Sequence, residues 1–392
     1  MKILYYSSHL HINMSAPSGP GTHIREVING FESAGHEVIR FIAGGEVMEA
    51  TSRIVVHNRW WKKFIPSIIW ESMKDYALLK LDKKLQLRLE ELILKEKPDV
   101  IYERCYYMMG SGFRAAKNHS VKYCCEMNAP YPEEKSVMSG KSIFLGKAIE
   151  NERKQVNAAH KVFVVSSALK HYLDSRIPGN SHKIVVTPNA VNPAHIHTSA
   201  EKIIAFKKQH HIAEKTKVIG FVGSIFPYHG VDLLIEAFAL ILKSGNENIY
   251  LLIVGDGEIL DELKSRVSEL GIVSHVHFTG NIPHKEVCDH IAVMDITVMA
   301  QSNWYGSPVK IFEYGIMKKC IIAPDVIPVR DVMKNDEDGL LIDNNIDSVK
   351  NAIETLLLHP VKAEKMAAHF HQKVSTEHTW QHVCNTILSE FQ

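Results

Sequence analysis

The sequence lacks the patterns that would commit it to a metal, redox or membrane-spanning class. None of its six cysteines, at 105, 124, 125, 288, 320 and 384, forms a CxxC pair, and all lie in apolar or helical contexts. They read as reduced structural thiols of a cytosolic protein. The 23 histidines are scattered, with no HExxH and no Cys/His cluster. A dedicated metal site needs ligands converging at set spacing, so none is expected. No apolar run is long enough to span a bilayer or to form a secretory signal core; residues 1–8, MKILYYSS, read as a short strand entering polar loop. A cytoplasmic location is expected, with any membrane contact peripheral. The formal net charge is +1, which supplies no field for a nucleic-acid partner. No short repeat or low-complexity tract occurs.

What is present is a repeating alternation of strand and helix. Lys2–Ser7, Glu37–Ile42, Asp99–Tyr102, Lys122–Glu126 and Lys161–Val165 read as strands. Thr22–Ala34, Asp82–Glu96 and a long Ser139–Ala159 read as helices between them. Such alternation predicts a parallel sheet covered by helices on both faces. After Ile184–Val186 comes a turn-rich TPNAVNP at 187–193, and the pattern restarts. Strands are predicted at Val218–Val222, Ile249–Val254, His275–Phe278, Ile296–Met299 and Cys320–Ala323. Helices are predicted at Gly230–Lys243, Leu260–Leu270, His284–Ala292 and Lys310–Met317. After a last strand at Leu340–Ile342, two helical stretches are predicted, Ile346–Leu358 and about 361–392. The reading is α/β: two Rossmann-like, doubly wound domains facing across a cleft. The domains are 1–190 and 191–370, with a terminal helix, 371–392, crossing back to the first. Ligands of such sheets bind at the carboxyl ends of the strands, but architecture alone admits dehydrogenases, binding proteins and epimerases.

Four loops follow predicted strands. In SAPSGPGTH, 15–23, Gly19 and Gly21 allow close backbone approach, and the free N–H groups of the helix predicted to start near Thr22 favour an anion; an ordinary strand–helix turn reads as well. In residues 220–232, GFVGSIFPYHGVD, a strand ends at Gly223, and His229 offers a donor partly charged at neutral pH; alone it is an exposed loop histidine. LIVGDGE, 252–258, repeats the strand–glycine–helix turn at Gly255. In NWYGSPVKIFEYG, 303–315, a Gly-Ser-Pro turn leads into a largely apolar helix carrying Glu313. A carboxylate there needs partners, and a ribose diol supplies two hydroxyl donors; a salt-bridged helix residue is the alternative. A fifth segment, RWWKKFIPSIIW at 59–70, interleaves basic and aromatic residues. It suits an anionic membrane surface, or equally a helix that covers the core.

Taken together, VTPNAVN (186–192), FVGS (221–224), HGVDLLIEAF (229–238), LIVGDGE, VHFTGNIP (276–283), SPVKIFEYG (307–315) and DGLLI (338–342) resemble family 4 of the retaining GT-B glycosyltransferases. The resemblance is close over about 184–345 and loose before it. It implies two facing Rossmann-like domains and transfer of a sugar from a nucleotide carrier, a UDP- or GDP-sugar, to a sugar, lipid-linked or small-molecule hydroxyl. No cofactor or catalytic metal is implied. Glu313 would hold the nucleotide ribose. The 302–310 loop, with Tyr305, Gly306, Ser307, Pro308 and Val309, would cradle the diphosphate and sugar. Gly19, Gly21, Gly223, Ser224, His229 and Gly255 would line the donor site, with Asn281 and Ile282 beside the base.

The sequence departs from the family at four positions. Ser224 and His229 stand where the family commonly has the Arg and Lys that neutralise the leaving diphosphate. Tyr305 stands where it commonly has a first glutamate, and Arg104 where it has a histidine near the sugar. A subgroup with TyrGluArg, here 102–104, and GluxAsnAlaPro, here 126–130, shares these replacements. It puts Glu126 and Asn128 on the acceptor side and leaves Lys310 or Arg104 to stabilise charge. For Arg104 a salt bridge to Glu103 or Glu126 is the competing reading, and for Lys310 a solvated helix residue. A non-catalytic nucleotide-sugar-binding subunit, or an epimerase or hydrolase on the same fold, also fits these residues.

Overall fold

The computed structural model describes residues 1–15, 18–46 and 66–391. The chain forms two compact units, Met1–Pro188 with Val383–Gln392, and Asn189–His382. The sequence reading put the joins at 190/191 and 370/371. The second join falls later because the helix Pro360–Glu377 packs on elements of the second unit.

The first unit runs β1 (Lys2–Ser7), α1 (Gly19–Ser33), β2 (Glu37–Ile42), α2 (Ser67–Glu96), β3 (Val100–Arg104), α3 (Ser111–His119), β4 (Lys122–Met127), α4 (Tyr131–Met138), α5 (Leu145–Ala158), β5 (Lys161–Val164), α6 (Ser167–Arg176) and β6 (Ile184–Val186). Its six strands lie in the order β2-β1-β3-β4-β5-β6, and every pairing is parallel. The order reverses between β1 and β3, so Ser7 and Arg104 end adjacent strands at the switch point.

The second unit contains α7 (Ala200–Gln209), β7 (Lys217–Val222), α8 (Val231–Lys243), β8 (Ile249–Val254), α9 (Leu260–Glu269), β9 (Val276–Phe278), α10 (Val287–Val293), β10 (Ile296–Val298), α11 (Val309–Ile316), β11 (Cys320–Pro324), α12 (Ile327–Arg330), β12 (Leu340–Ile342), α13 (Ile346–Leu358) and α14 (Pro360–Glu377); α15 (Trp380–Ser389) begins there and ends in the first unit. Its order is β12-β11-β10-β7-β8-β9, again all parallel, with the switch point between β7 and β10. Side chains alternate across a strand, and a parallel sheet buries both faces. Accordingly Ile219, Phe221, Leu251 and Ile253 enter one core cluster, and Val218, Val222, Leu252 and Val254 the other.

Several predicted elements are corrected. The long helix expected over Ser139–Ala159 starts only at Leu145, because Gly140 turns the chain at φ +93° and the Ser142 hydroxyl accepts the Phe144 N–H at 3.1 Å; the helix before it, Tyr131–Met138, was not expected. The helix expected from Asp82 starts fifteen residues earlier: no Gly or Pro interrupts Ser67–Glu96, and it stops at left-handed Lys97, before Pro98. The stretch expected as one helix over 361–392 breaks at His378–Thr379. There Val191 pairs with Thr379, with Val191 N–H to His378 O at 3.0 Å and Trp380 N–H to Val191 O at 3.2 Å. Of the basic–aromatic segment 59–70, residues 59–65 lie outside the described residues. Residues 67–70 form the first turn of α2.

Candidate active site

In the first unit the site grows from the ends of β3 and β4. Alternation puts Glu103 and Arg104 on opposite faces of β3. Glu103 is fully buried, accepts the Tyr123 hydroxyl, and is held protonated up to about 8 by burial. Arg104 pairs with Glu126, the residue opposite it in register on β4. Glu126 also takes the Tyr102 hydroxyl at 2.8 Å, His23 Nε2 at 2.8 Å and the Asn128 amide. Burial opposes its charge, but His23 and Arg104 hold the carboxyl well below its usual range. Arg104 is therefore ion-paired to Glu126, and the pairing with Glu103 does not occur. His23, from α1, belongs to this cluster although nothing in its local sequence marked it. The helix carrying it begins at Gly19 rather than Thr22: Ser18 caps it by accepting the Gly21 N–H at 3.3 Å, and Pro20 sits in the first turn, where a missing N–H is tolerated. The Gly21 N–H is thus already bonded.

In the second unit, β7 ends in the turn Gly223–Ser224, and the chain leaving β10 reaches α11. Gly223 has φ +143°, and a Cβ there would lie 2.7 Å from Lys310 Nζ. Gly255, at φ +132°, has no room for a Cβ, which would meet Gly223 O at 2.0 Å. Its N–H goes to Gly280 O at 3.1 Å, and that of Gly223 to Val254 O at 3.0 Å. These glycines bring three strand ends together, but those two amides are spent on one another's loops. Asn281 is exposed and Ile282 half-buried just beyond Gly280.

Helix α11 is fastened to β7 by Tyr314, whose hydroxyl accepts the Val222 N–H at 2.8 Å. The helix carries Lys310 and Glu313 one turn apart, on one face. Lys310 Nζ is buried with no hydrogen-bond partner among the described residues and rests over the Phe221 ring, 4.1 Å from its centroid. Burial pushes its pKa down to about 7, partly opposed by Glu313. Lys310 is not a solvated helix residue. Burial raises the half-buried Glu313 carboxyl, with Lys310 acting against it. That carboxylate makes no hydrogen bond among the described residues.

His229 donates through Nδ1 to Ser224 O at 2.5 Å, since a carbonyl can only accept. Burial first, and Lys310 second, push its pKa down to about 4. The partial charge expected at neutral pH is therefore absent: the ring is neutral, and its Nε2 is an acceptor until protonated. In the 302–310 loop the Asn303 carboxamide oxygen accepts the N–H groups of Tyr305 at 3.3 Å and Gly306 at 2.6 Å. Ser307, nearly buried, is gripped by Asn189: its hydroxyl accepts the Asn189 N–H at 3.0 Å, and its carbonyl accepts the Asn189 side-chain amide at 2.6 Å. Pro308 lacks an N–H and the Ile311 N–H goes to Pro308 O at 3.3 Å, so the donors left at the start of α11 are those of Val309 and Lys310. Asn189 and Asn303 were not singled out by sequence. The only local hint for Asn189 is its place in the proline-and-asparagine turn.

Twin parallel sheets define a two-domain Rossmann-like protein, and at the switch point of the second a cation and a carboxylate are left without hydrogen bonds among the described residues. Comparison with known proteins gives the family. The model of glycosyl transferases group 1 matches residues 202–373, and that of glycosyltransferase family 4 matches residues 17–195. The chain belongs to these group 1, or family 4, glycosyltransferases.

Among relatives, the GDP-mannose-dependent alpha-(1-6)-phosphatidylinositol monomannoside mannosyltransferase of Mycobacterium tuberculosis is 25% identical over 181 residues, 44% of this chain and 46% of that one. The poly(ribitol-phosphate) alpha-N-acetylglucosaminyltransferase of Staphylococcus aureus is 22% identical over 178 residues, 45% of this chain and 35% of that one. The matches thus span half or less of these relatives' length. Among solved structures, Anabaena Alr3699/HepE in complex with UDP superposes with a TM-score of 0.72 at 17% identity, over 99% of both chains. Sucrose-phosphate synthase of Thermosynechococcus elongatus does so with 0.73 at 16%, over 99% of this chain and 97% of that one. At these identities the likeness carries the fold, which is GT-B.

Proposed function

We propose that this chain is a retaining glycosyltransferase that moves a sugar from a nucleoside-diphosphate carrier to a hydroxyl acceptor. The observation that carries the reading is the pair on α11: a buried ammonium and a carboxylate, neither with a hydrogen bond among the described residues, one turn apart at the switch point of the second sheet. Glu313 accepts the two ribose hydroxyls. Lys310 and the first N–H groups of α11 face the diphosphate and stabilise the charge that grows on it. The bond from the anomeric carbon to the phosphate oxygen breaks. The acceptor oxygen bonds the same carbon on the same face, and its proton passes to the departing diphosphate. No metal takes part. Names of relatives and neighbours support a UDP- or GDP-sugar as donor, with a sugar, lipid-linked or small-molecule hydroxyl as acceptor in polysaccharide, glycolipid or glycoconjugate synthesis.

Proton NMR of the product tests the stereochemistry: the anomeric configuration of the donor is retained, and an inverted product refutes it. Glu313→Ala lowers kcat/KM for the donor about 10–100-fold, the loss of hydrogen bonds to a charged group; near-normal turnover at low donor refutes the ribose role. Binding of a donor with no turnover on any acceptor would favour the non-catalytic reading, for which the neutral His229 and Tyr305 speak.

Contact with a membrane is part of the proposal. No described helix is long and apolar enough to cross one. On α2 and the 143–144 segment, however, Ile68, Ile69, Met73, Tyr76, Ile143 and Phe144 surround an apolar recess of about 300 Å³. Ile143 is 72% exposed, and Lys74 and Lys80 lie over the Trp70 and Tyr76 rings. Sedimentation with phosphatidylglycerol vesicles, lost in Ile69→Asp/Met73→Asp, checks it.

A further inference from the structure

The chain passes between the two units at Pro188–Asn189 and again at His382–Val383. On the second-unit side of the first crossing, residues 189–191 are bonded in two directions. Asn189 grips Ser307 through its backbone N–H, at 3.0 Å to the hydroxyl, and through its side-chain amide, at 2.6 Å to the carbonyl. Val191 is bridged to the segment that leads to the second crossing, through His378 O and the Trp380 N–H. Ser307 begins the Ser-Pro step into α11, the helix that bears Lys310 and Glu313. Three consecutive residues therefore join both crossings to the 302–310 loop.

The bonds are specific in direction. The amide nitrogen of Asn189 donates to a carbonyl of a nearly buried residue, so an isosteric carboxylate would present oxygen to oxygen there. Tyr305 and Gly306, immediately upstream, are held by Asn303; downstream, α11 is fixed by Tyr314. Asn189 holds the one residue between these two anchors whose hydroxyl and carbonyl are both engaged from outside the loop.

We infer that Asn189 is a positioning residue for the transfer reaction: it sets the 302–310 loop and the start of α11 against the interdomain crossings. The register of the diphosphate site thus depends on a residue that is not itself one of its donors. This rests on the donor-site reading above.

A positioning role predicts loss of affinity and rate without loss of fold, because misplacement by about 1 Å is enough to lower a rate about 100-fold. The probe is the tightest binder among UDP, GDP, ADP and dTDP, titrated calorimetrically. Asn189→Ala and Asn189→Asp each weaken it about 10-fold or more, while the melting temperature stays within about 4 °C of the parent, as for loss of one hydrogen bond in a unit of this size. For Asn189→Asp alone, affinity relative to the parent recovers as pH is lowered from about 7 to about 4, where the carboxyl takes up its proton and donates to the Ser307 carbonyl again. Parent-like affinity in both variants overturns the inference, as does a deficit in Asn189→Asp that ignores pH. If Asn189→Ala does not fold, Asn189→Asp decides. Glu313→Ala, run alongside, separates the two readings: weak binding there with normal binding in both Asn189 variants refutes only the positioning role. Normal binding in all three, or no binding by the parent, refutes the donor site as well.

Discussion

At the scale of the residue, Lys310 is the most informative group. An ammonium buried without a partner is unfavourable in the empty protein, and its pKa of about 7 records that. A diphosphate brought beside it favours the charged form, so binding takes up a proton. Affinity for a nucleoside diphosphate should therefore rise as pH falls from about 8 to about 6.5, then level; calorimetry in buffers of different ionisation enthalpy reads the proton directly. Removing the amine acts on stability in the opposite sense from function. Between pH 7 and the unfolded value of 10.5 the unfolded chain holds the proton that the folded chain has released, so stability gained from this group rises with pH. Lys310→Met should raise the melting temperature at pH 7, with the gain shrinking toward pH 10, and should weaken donor binding. Glu126 is the converse: Glu126→Gln strands Arg104 in the interior and should destabilise the first unit by about 3–5 kcal/mol, read by denaturant unfolding.

Glu313 and Lys310 could be singled out because they sit in a short, recognisable motif. His23 and Asn189 could not. Their partners are 103 and 118 residues away in sequence, and only the folded sheets bring them together. The neutrality of His229 was equally hidden, since it comes from burial and from Lys310 rather than from its neighbours in the chain.

At the scale of the element, strands were more legible than helix breaks. Apolar runs such as β7 and β8 announce strands buried on both faces, and the positions of Gly223 and Gly255 at their ends follow. A helix was expected too early at Ser139 and a single helix where two exist at 361–392, because the turn at Gly140 depends on a local cap and the break at Thr379 on a distant pairing with Val191. The long α2 was cut short in the reading because its first half carries apolar residues on exposed faces. The tie between α11 and β7 is one hydroxyl: Tyr314→Phe leaves the Val222 N–H buried and unpaired and should destabilise by about 1–3 kcal/mol. It should also lower donor affinity, since α11 carries both key side chains; unchanged binding would show that packing alone holds the helix.

At the scale of the whole molecule, the alternation of strand and helix predicted two doubly wound domains, and two six-stranded parallel sheets are found. The return of the chain was placed twelve residues too early, because helical pattern does not say which core a helix joins. The returning segment is anchored by Phe391, whose ring lies 5.9 Å from that of Phe31 and 6.1 Å from that of Tyr102, and by an ion pair of Glu390 with Lys161. Phe391→Ala should cost about 3–5 kcal/mol, expressed in unfolding of the first unit. If no metal takes part, chelation with EDTA should leave turnover unchanged.

The central claim is that the second unit binds a nucleotide sugar through α11. A thermal-shift panel of UDP-, GDP-, ADP-, CMP- and dTDP-sugars tests it most directly, because a ligand of the folded state raises apparent stability, and more so the tighter it binds. The account predicts that a UDP- or GDP-sugar raises the melting temperature of the parent protein and does so far less in Glu313→Ala. A panel in which no nucleotide sugar shifts the parent, or in which Glu313→Ala responds as the parent does, contradicts it.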